Sequence, residues 1–212
     1  MTIACHFSQL NIEFNQTALF PPLNGTLSCQ KNALIGYNGK GKSVLMRILA
    51  GQLAPTKGNV HWDLPFIYVG QLTRLTGDTL IDALGINELY HAFLRIEAEN
   101  GSLADFELTE DKWHLPSQWQ SLLDSAGLAI SMEAPISHLS GGERTRLALC
   151  RAFLHQDHFL LLDEPDNHLD LDSKQLLEAL LQDYQGTLLL VSHDDAFIAN
   201  CNITHTLNLS DK

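Results

Sequence analysis

Gly36-Tyr37-Asn38-Gly39-Lys40-Gly41-Lys42-Ser43 is a full match to G-x-x-x-x-G-K-[ST], the pattern of a loop that wraps phosphate oxygens in backbone N–H groups. Its small residues let the backbone close around an anion, and the helix that follows adds the positive end of its dipole. Lys42 is placed to meet the β- and γ-phosphates of a nucleotide, and the Ser43 hydroxyl to ligate Mg2+. A second such helix start lies at Leu139-Ser140-Gly141-Gly142-Glu143, where Ser140 and Glu143 make an S-x-x-E capping box ahead of an apolar run. Phe159-Leu160-Leu161-Leu162-Asp163-Glu164 reads as a buried strand ending in two adjacent carboxylates, whose side chains diverge at the strand end. Asp163 is assigned to the Mg2+ shell and Glu164 to the general base. His193, in Ser192-His193-Asp194, follows another apolar run and falls near where a γ-phosphate would sit, while Gln71 ends a third run within reach of the metal or the attacking water. Singly, these could be a glycine turn, a helix cap, a strand ending in acids and a packing histidine. Together they point to nucleotide chemistry.

The elements that must position these residues follow from the apolar pattern. Alternation through Leu10-Asn11-Ile12-Glu13-Phe14 predicts an early strand before a Pro21-Pro22 turn. Ala33-Leu34-Ile35 predicts a short buried strand into the glycine loop, Val44 to Leu49 a helix, and Phe66 to Val69 the strand that delivers Gln71. From about 72 to 155 the character changes to amphipathic helical pieces, such as Thr79 to Leu84, Glu88 to Glu97 and Gly141 to about His155, punctuated by Gly101, Pro116, Gly127 and Pro135. This is an inserted helical lobe. Around it, strands at Phe159–Leu162, Thr187–Ser192 and Ile203–Leu209 alternate with a helix at Asp172–Tyr184, which implies an α/β architecture with a largely parallel sheet in one domain, 1–212.

Composition removes several classes. The 212 residues carry a net charge of −12 and no lysine- or arginine-rich run, which opposes non-specific nucleic-acid binding. No apolar run approaches the twenty or so residues a membrane-spanning helix needs, and Met1-Thr2-Ile3-Ala4-Cys5-His6 lacks the pattern of a signal peptide, so a cytoplasmic protein is expected. Four cysteines without a C-x-x-C pair argue for buried thiols rather than disulfides or zinc. The acids Asp166, Asp170 and Asp172 lack the glycine and terminal glutamate of a calcium loop, and Asp170 and Asp172 read as acids near a helix start.

The order and spacing of these segments resemble the nucleotide-binding domain of ABC-type ATPases over nearly the whole chain. Gly36 to Ser43 is similar to the Walker A loop, Gln71 to the Q-loop, Leu139 to Glu143 to the ABC signature, Phe159 to Glu164 to Walker B, Asn167-His168-Leu169-Asp170 to the D-loop and His193 to the switch histidine. The resemblance implies a P-loop NTPase fold with an antiparallel β part beside the parallel core. It also implies ATP and Mg2+ as cofactors, ATP hydrolysis as the reaction, and Phe14 as the aromatic stacked on adenine, with Phe7 and Phe20 as nearby alternatives. The nucleotide would be held by Gly36, Asn38, Gly39, Lys40, Gly41, Lys42, Ser43 and Val44 of one cassette and by Ser140, Gly141, Gly142, Glu143 and Asp170 of another. Mg2+ would be held by Ser43, Gln71 and Asp163, and catalysis would fall to Glu164, His193, Gln71 and Lys42. Within the family, Asp163 to Asp170 resembles the DEPTNHLD segment of the ABC-F branch, and Ser192 to Ile198 is similar to its SHDRxFL. ABC-F proteins carry no membrane span, usually hold two cassettes in tandem, and mostly act on ribosomes.

Three departures stand out. Val44 replaces the usual Thr, which removes a side-chain contact to the α-phosphate; Asp166 replaces Thr; and Asp195 replaces Arg. The chain holds one cassette, which reads either as a fragment or as a half-size protein. The implied mechanism is a head-to-tail dimer around two ATP molecules, either a homodimer or two tandem domains, that loosens on hydrolysis. Two partners compete. For a ribosome, the stretch from Leu72 to His138 is a poor RNA-contacting arm, with eleven acids against three bases. A separate membrane permease would dock on an apolar groove beside Gln71, lined by Leu72, Leu75 and Leu80. A non-hydrolysing, ATP-gated module is opposed by the intact Glu164 and His193.

Overall fold

A computed structural model describes residues 2–15, 17–37, 39–70, 75–154, 158–167 and 169–209. The chain runs through β1 (Ile3–Asn11), β2 (Glu13–Phe14), β3 (Thr17–Ala18), β4 (Leu23–Ser28), β5 (Lys31–Ile35), α1 (Lys42–Leu49), β6 (Lys57–Trp62) and β7 (Phe66–Val69). Five helices follow, α2 (Leu80–Leu84), α3 (Asn87–Glu97), α4 (Leu103–Thr109), α5 (Leu115–Ser125) and α6 (Gly141–Phe153). It then continues through β8 (Phe159–Asp163), α7 (Leu171–Asp183), β9 (Thr187–Val191), α8 (Asp195–Asn200) and β10 (His205–Asn208). These elements form two compact units, Met1–Leu72 with His155–Lys212, and Thr73–Leu154.

In the first unit a five-stranded sheet has the order β10-β5-β9-β8-β7, and every pairing in it is parallel. Phe159 to Leu162 and Leu188 to Val191 are buried throughout, the continuous apolar run expected of parallel strands covered on both faces. Parallel pairing sends the ends of β5, β8 and β9 to one edge, so Gly36, Glu164 and Ser192 begin their loops side by side. A three-stranded antiparallel sheet, β4-β1-β6, packs its Ala4, Phe7, Leu10 and Leu27 into the same core as Leu45, Met46, Leu49 and Phe159. The expected α/β fold with a parallel core and an antiparallel part is the fold observed.

The local elements differ in instructive ways. The strand expected at Leu10–Phe14 is split, because β1 starts at Ile3, breaks at Ile12 and leaves Glu13–Phe14 to a two-stranded hairpin with β3. Gln9 sits at φ 50° where the β1 register slips against both neighbours. Gly58, at φ 89°, lies opposite this bulge, where a Cβ would come within 2.4 Å of the Gln9 and Ser8 carbonyl oxygens. β4 and β6 were not anticipated. Their sequences, Leu-Asn-Gly-Thr-Leu-Ser and Lys-Gly-Asn-Val-His-Trp, lack apolar alternation, and they are strands because β1 offers each an edge.

In the second unit α2 packs on α3 and α6, α4 on α3, and α5 on α6. Three of these helices open on a reciprocal capping box: Thr79 with Asp82, Ser102 with Asp105, and Ser140 with Glu143. Asp105 is also gripped by Arg95, whose Nε lies 3.2 Å from both carboxylate oxygens, and that contact followed by Ser102 holds its carboxyl well below the usual range. Two of the lobe's eleven acids, Asp82 and Asp105, are thus committed to helix starts. No described helix is long and apolar enough to cross a membrane.

Cys5, Cys150 and Cys201 are fully buried, and burial pushes each thiol up to about 12, whereas Cys29 is half-buried. Reaction requires the thiolate. A disulfide exchange reagent at pH 8 is therefore expected to titrate Cys29 in the native protein and the other three after denaturant is added. Rapid native labelling of all four would contradict this burial.

Candidate functional site

The glycine loop joins β5 to α1, and its backbone explains its composition. Gly36, Gly39 and Gly41 all have positive φ, and at Gly41 a Cβ would meet the Leu19 side chain at 2.6 Å. Gly41 caps α1 in a left-handed conformation with no side-chain cap, and the first turn holds no acid. The first helical bond is Leu45 N–H to Gly41 O at 2.8 Å, so the N–H groups of Lys42, Ser43 and Val44 have no carbonyl four residues back within the helix, as at any helix start. Lys42 is 5% exposed, and its Nζ bridges the loop to Gly36 O at 2.8 Å and Tyr37 O at 3.4 Å. That ammonium and the helix start are the groups that could receive an anion. Val44 packs against the core. Asn38 lies outside the described residues.

At the end of β8, Asp163 is 8% exposed. Its Oδ2 accepts a hydrogen bond from Tyr68 Oη at 3.0 Å, and Oδ1 is buried without a hydrogen-bond partner among the described residues. Burial raises its pKa, partly offset by the hydroxyls of Tyr68 and Ser43. Burial beside the Asp163 charge likewise pushes the Tyr68 hydroxyl up to about 12. A buried carboxylate oxygen with an open lone pair, next to a serine hydroxyl, is the donor chemistry of a hard divalent cation. Among the described residues no three His, Cys, Asp or Glu side chains cluster as a self-sufficient metal cage. Tyr68 had no signal in the sequence. The parallel register of β7 on β8, with Tyr68 opposite Leu161, brings it to Asp163.

Glu164 follows immediately with φ 52°, a left-handed conformation rare outside glycine and common at functional sites. The turn aims its carboxylate along the strand edge, where Oε1 pairs with His193 Nε2 and Oε2 accepts from Asn167 Nδ2 at 2.5 Å. The structure therefore joins Glu164 and His193, predicted from separate segments. A cavity of about 510 Å³ opens beside them, lined by Gly36, Tyr37, His193, Asp195 and Ile198 among others.

In the second unit, Ser140 and Glu143 form the expected capping box at α6. Glu143 Oε2 accepts from Ser140 N at 2.8 Å and from Ser140 Oγ at 2.7 Å, which lowers the Glu143 pKa. Gly141 and Gly142 are exposed, and a Cβ on either would meet nothing within 4 Å. The helix end is thus firmly aimed and open.

Phe14 is 50% exposed on the β2–β3 hairpin, while Phe7 and Phe20 are core residues. Asp170 caps α7 by accepting from Ser173 N at 2.8 Å. Leu80, expected to line a docking groove, is fully buried in the helical unit, where α2 uses it as core. Gln71, Leu72 and His168 lie outside the described residues.

The ABC transporter family profile matches residues 23–167. The chain is 35% identical to the energy-dependent translational throttle protein EttA of Haemophilus influenzae over 193 residues, covering 80% of this chain and 34% of that protein. It is 37% identical to the ATP-binding protein Uup-like of the same organism, with the same coverage of each. Both relatives are of the ABC-F type that the segment from Asp163 to Asp170 resembles. The chain spans about a third of the length of these relatives. Among solved structures, an ATP-binding subunit of an ABC transporter superposes with a TM-score of 0.68 at 20% identity, covering 98% of this chain and 86% of that one. With a parallel sheet, a glycine loop and a profile match over most of its length, the chain belongs to the ABC transporter family as an ATP-binding domain.

Proposed function

We propose that this cassette binds and hydrolyses ATP at a site completed by a second cassette, and that the assembly acts on the ribosome. The observation that supports hydrolysis best is Glu164, held at positive φ against His193 at the sheet edge that also carries the glycine loop. On nucleotide binding, Lys42 would leave the Gly36 and Tyr37 carbonyls for the β- and γ-phosphates. Ser43 and Asp163, with Gln71, would hold Mg2+, which when bound neutralises phosphate charge. His193 would turn from Glu164 Oε1 to the γ-phosphate, freeing that oxygen to take a proton from the attacking water while Asn167 retains Oε2. The backbone N–H groups of the exposed Gly141 and Gly142 of the second cassette would meet the γ-phosphate, and the Ser140 hydroxyl and N–H, both held by Glu143, would join them by leaving that carboxylate. Phe14 is exposed as an adenine-stacking residue must be.

The ribosome enters through the name of the relative EttA, a translational throttle protein. The acidic helical lobe is not suited to touch RNA, so contact through that lobe would need a basic protein surface. The permease reading is weakened by the burial of Leu80. Ribosomes sedimented with ATP-loaded protein should carry it down, and persistent absence from the pellet would remove translation from this proposal.

Glu164→Gln should keep ATP affinity within a few-fold, reduce turnover by about 1000-fold, and convert the protein to a dimer in ATP on gel filtration. A monomer at saturating ATP would defeat the shared site. Lys42→Ala should weaken ATP binding by at least tenfold in calorimetry, and unchanged affinity would overturn the loop assignment. Asp163→Asn should abolish Mg2+-dependent turnover yet raise the nucleotide-free stability by about 1 kcal/mol at pH 8. The sign follows from burial raising the Asp163 pKa, so its ionisation costs stability as pH rises through that pKa. The gain should fade as pH falls and the wild-type carboxyl takes up its proton.

A further inference from the structure

Asp166 has no task in the chemistry above, yet it links the two loops that carry it. It stands in the β8–α7 loop where the ABC-F pattern has Thr. Its Oδ2 accepts from Ser192 Oγ at 2.8 Å, and Ser192 is 5% exposed. Ser192 Oγ in turn accepts from Asp194 N–H at 3.0 Å, and Asp194 Oδ2 is held by Lys174 Nζ at 2.5 Å. Ser192 and Asp194 are the chain neighbours of His193, so the segment carrying the imidazole is pinned on both sides.

The chemistry of the side chain matters. An ionised carboxylate can only accept, so it fixes the Ser192 proton toward Oδ2 and leaves a serine lone pair for Asp194 N–H. A threonine hydroxyl could donate or accept and would not fix that direction. The bond is also charge-assisted, and so shorter and stronger than a neutral pair. Among the described residues Asp166 Oδ1 is buried without a hydrogen-bond partner, a cost to the fold that its bond to Ser192 offsets only in part. A locally costly acid beside a catalytic pair fits a residue kept for geometry.

We propose that Asp166 is a positioning residue that ties the β8–α7 loop to Ser192 and thereby sets His193 against Glu164. The kinetic arm of its test rests on the ATPase reading, and the structural arm does not. In nucleotide-free protein, the His193 imidazole 15N resonances should shift in Asp166→Ala and Ser192→Ala and return toward wild type in Asp166→Asn, whose side-chain oxygen still accepts. In turnover, Asp166→Ala should lower kcat about tenfold with KM for ATP within twofold, and Asp166→Asn should restore most of the loss. Unchanged His193 resonances in Asp166→Ala would overturn the proposal. So would a kcat within twofold of wild type in an active enzyme, or equal losses of kcat, KM and thermal midpoint in the Ala and Asn variants. A wild-type protein without ATP turnover would defeat the ATPase reading alone, and the His193 resonances would still decide the role of Asp166.

Discussion

Glu164 donates its N–H to Val191 O at 2.9 Å as β8 leaves the sheet, and the chain turns through φ 52° within the same residue. That last rung of the β8–β9 ladder is what the rest of the site depends on. It keeps Asp163 on the strand, buried against Tyr68, while Glu164 is turned out toward His193. Two adjacent carboxylates thereby enter different surroundings, one desolvated beside hydroxyls and one partly exposed beside an imidazole and an amide. A straight continuation of the strand would send Glu164 to the opposite face from Asp163 and away from the loop after β9. The backbone strain of the left-handed residue is the cost of this arrangement, and the fully buried ladder on either side supplies the rigidity to hold it.

The two helix starts assigned to phosphate binding are built differently. α1 opens on a left-handed glycine with no side-chain cap among the described residues and no acid in its first turn, while Lys42 donates to loop carbonyls. α6 opens on a capping box that satisfies Glu143 N and aims the exposed Gly141 and Gly142 outward. The first start is uncapped and the second capped, a difference that suits the proposed site, in which one cassette would hold the nucleotide and another would meet its γ-phosphate.

The departures from the ABC-F pattern fall into two groups. Val44 substitutes an apolar contact with the core for a hydroxyl, a local change within α1. Asp166 and Asp195 instead place carboxylates near His193, where Asp166 in the β8–α7 loop meets Ser192 and Asp195 at the start of α8 lines the cavity beside Tyr37. Both add a carboxylate near His193, and Asp195 shares its cavity with Gly36 and Tyr37 of the glycine loop.

Signals confined to a few consecutive residues were legible in the chain itself. The glycine loop, the α6 capping box and the apolar runs of β8 and β9 are each set by local backbone and burial chemistry, so eight residues or fewer suffice to declare them. The same locality made the α/β class and the helical lobe readable. Strands such as β4 and β6 were not, because their pairing with β1 rather than their own pattern makes them strands. Nor could spacing reveal partners distant in sequence. Tyr68 reaches Asp163 across 95 positions and Ser192 reaches Asp166 across 26, and both meetings exist because parallel strands bring their ends to a common edge. Residue type and order thus determined which chemistry the chain carries. The sheet decided which oxygen of Asp163 stays open, which way Glu164 turns and what holds His193 in place, because hydrogen-bond partners are allotted by register in three dimensions and not by proximity along the chain.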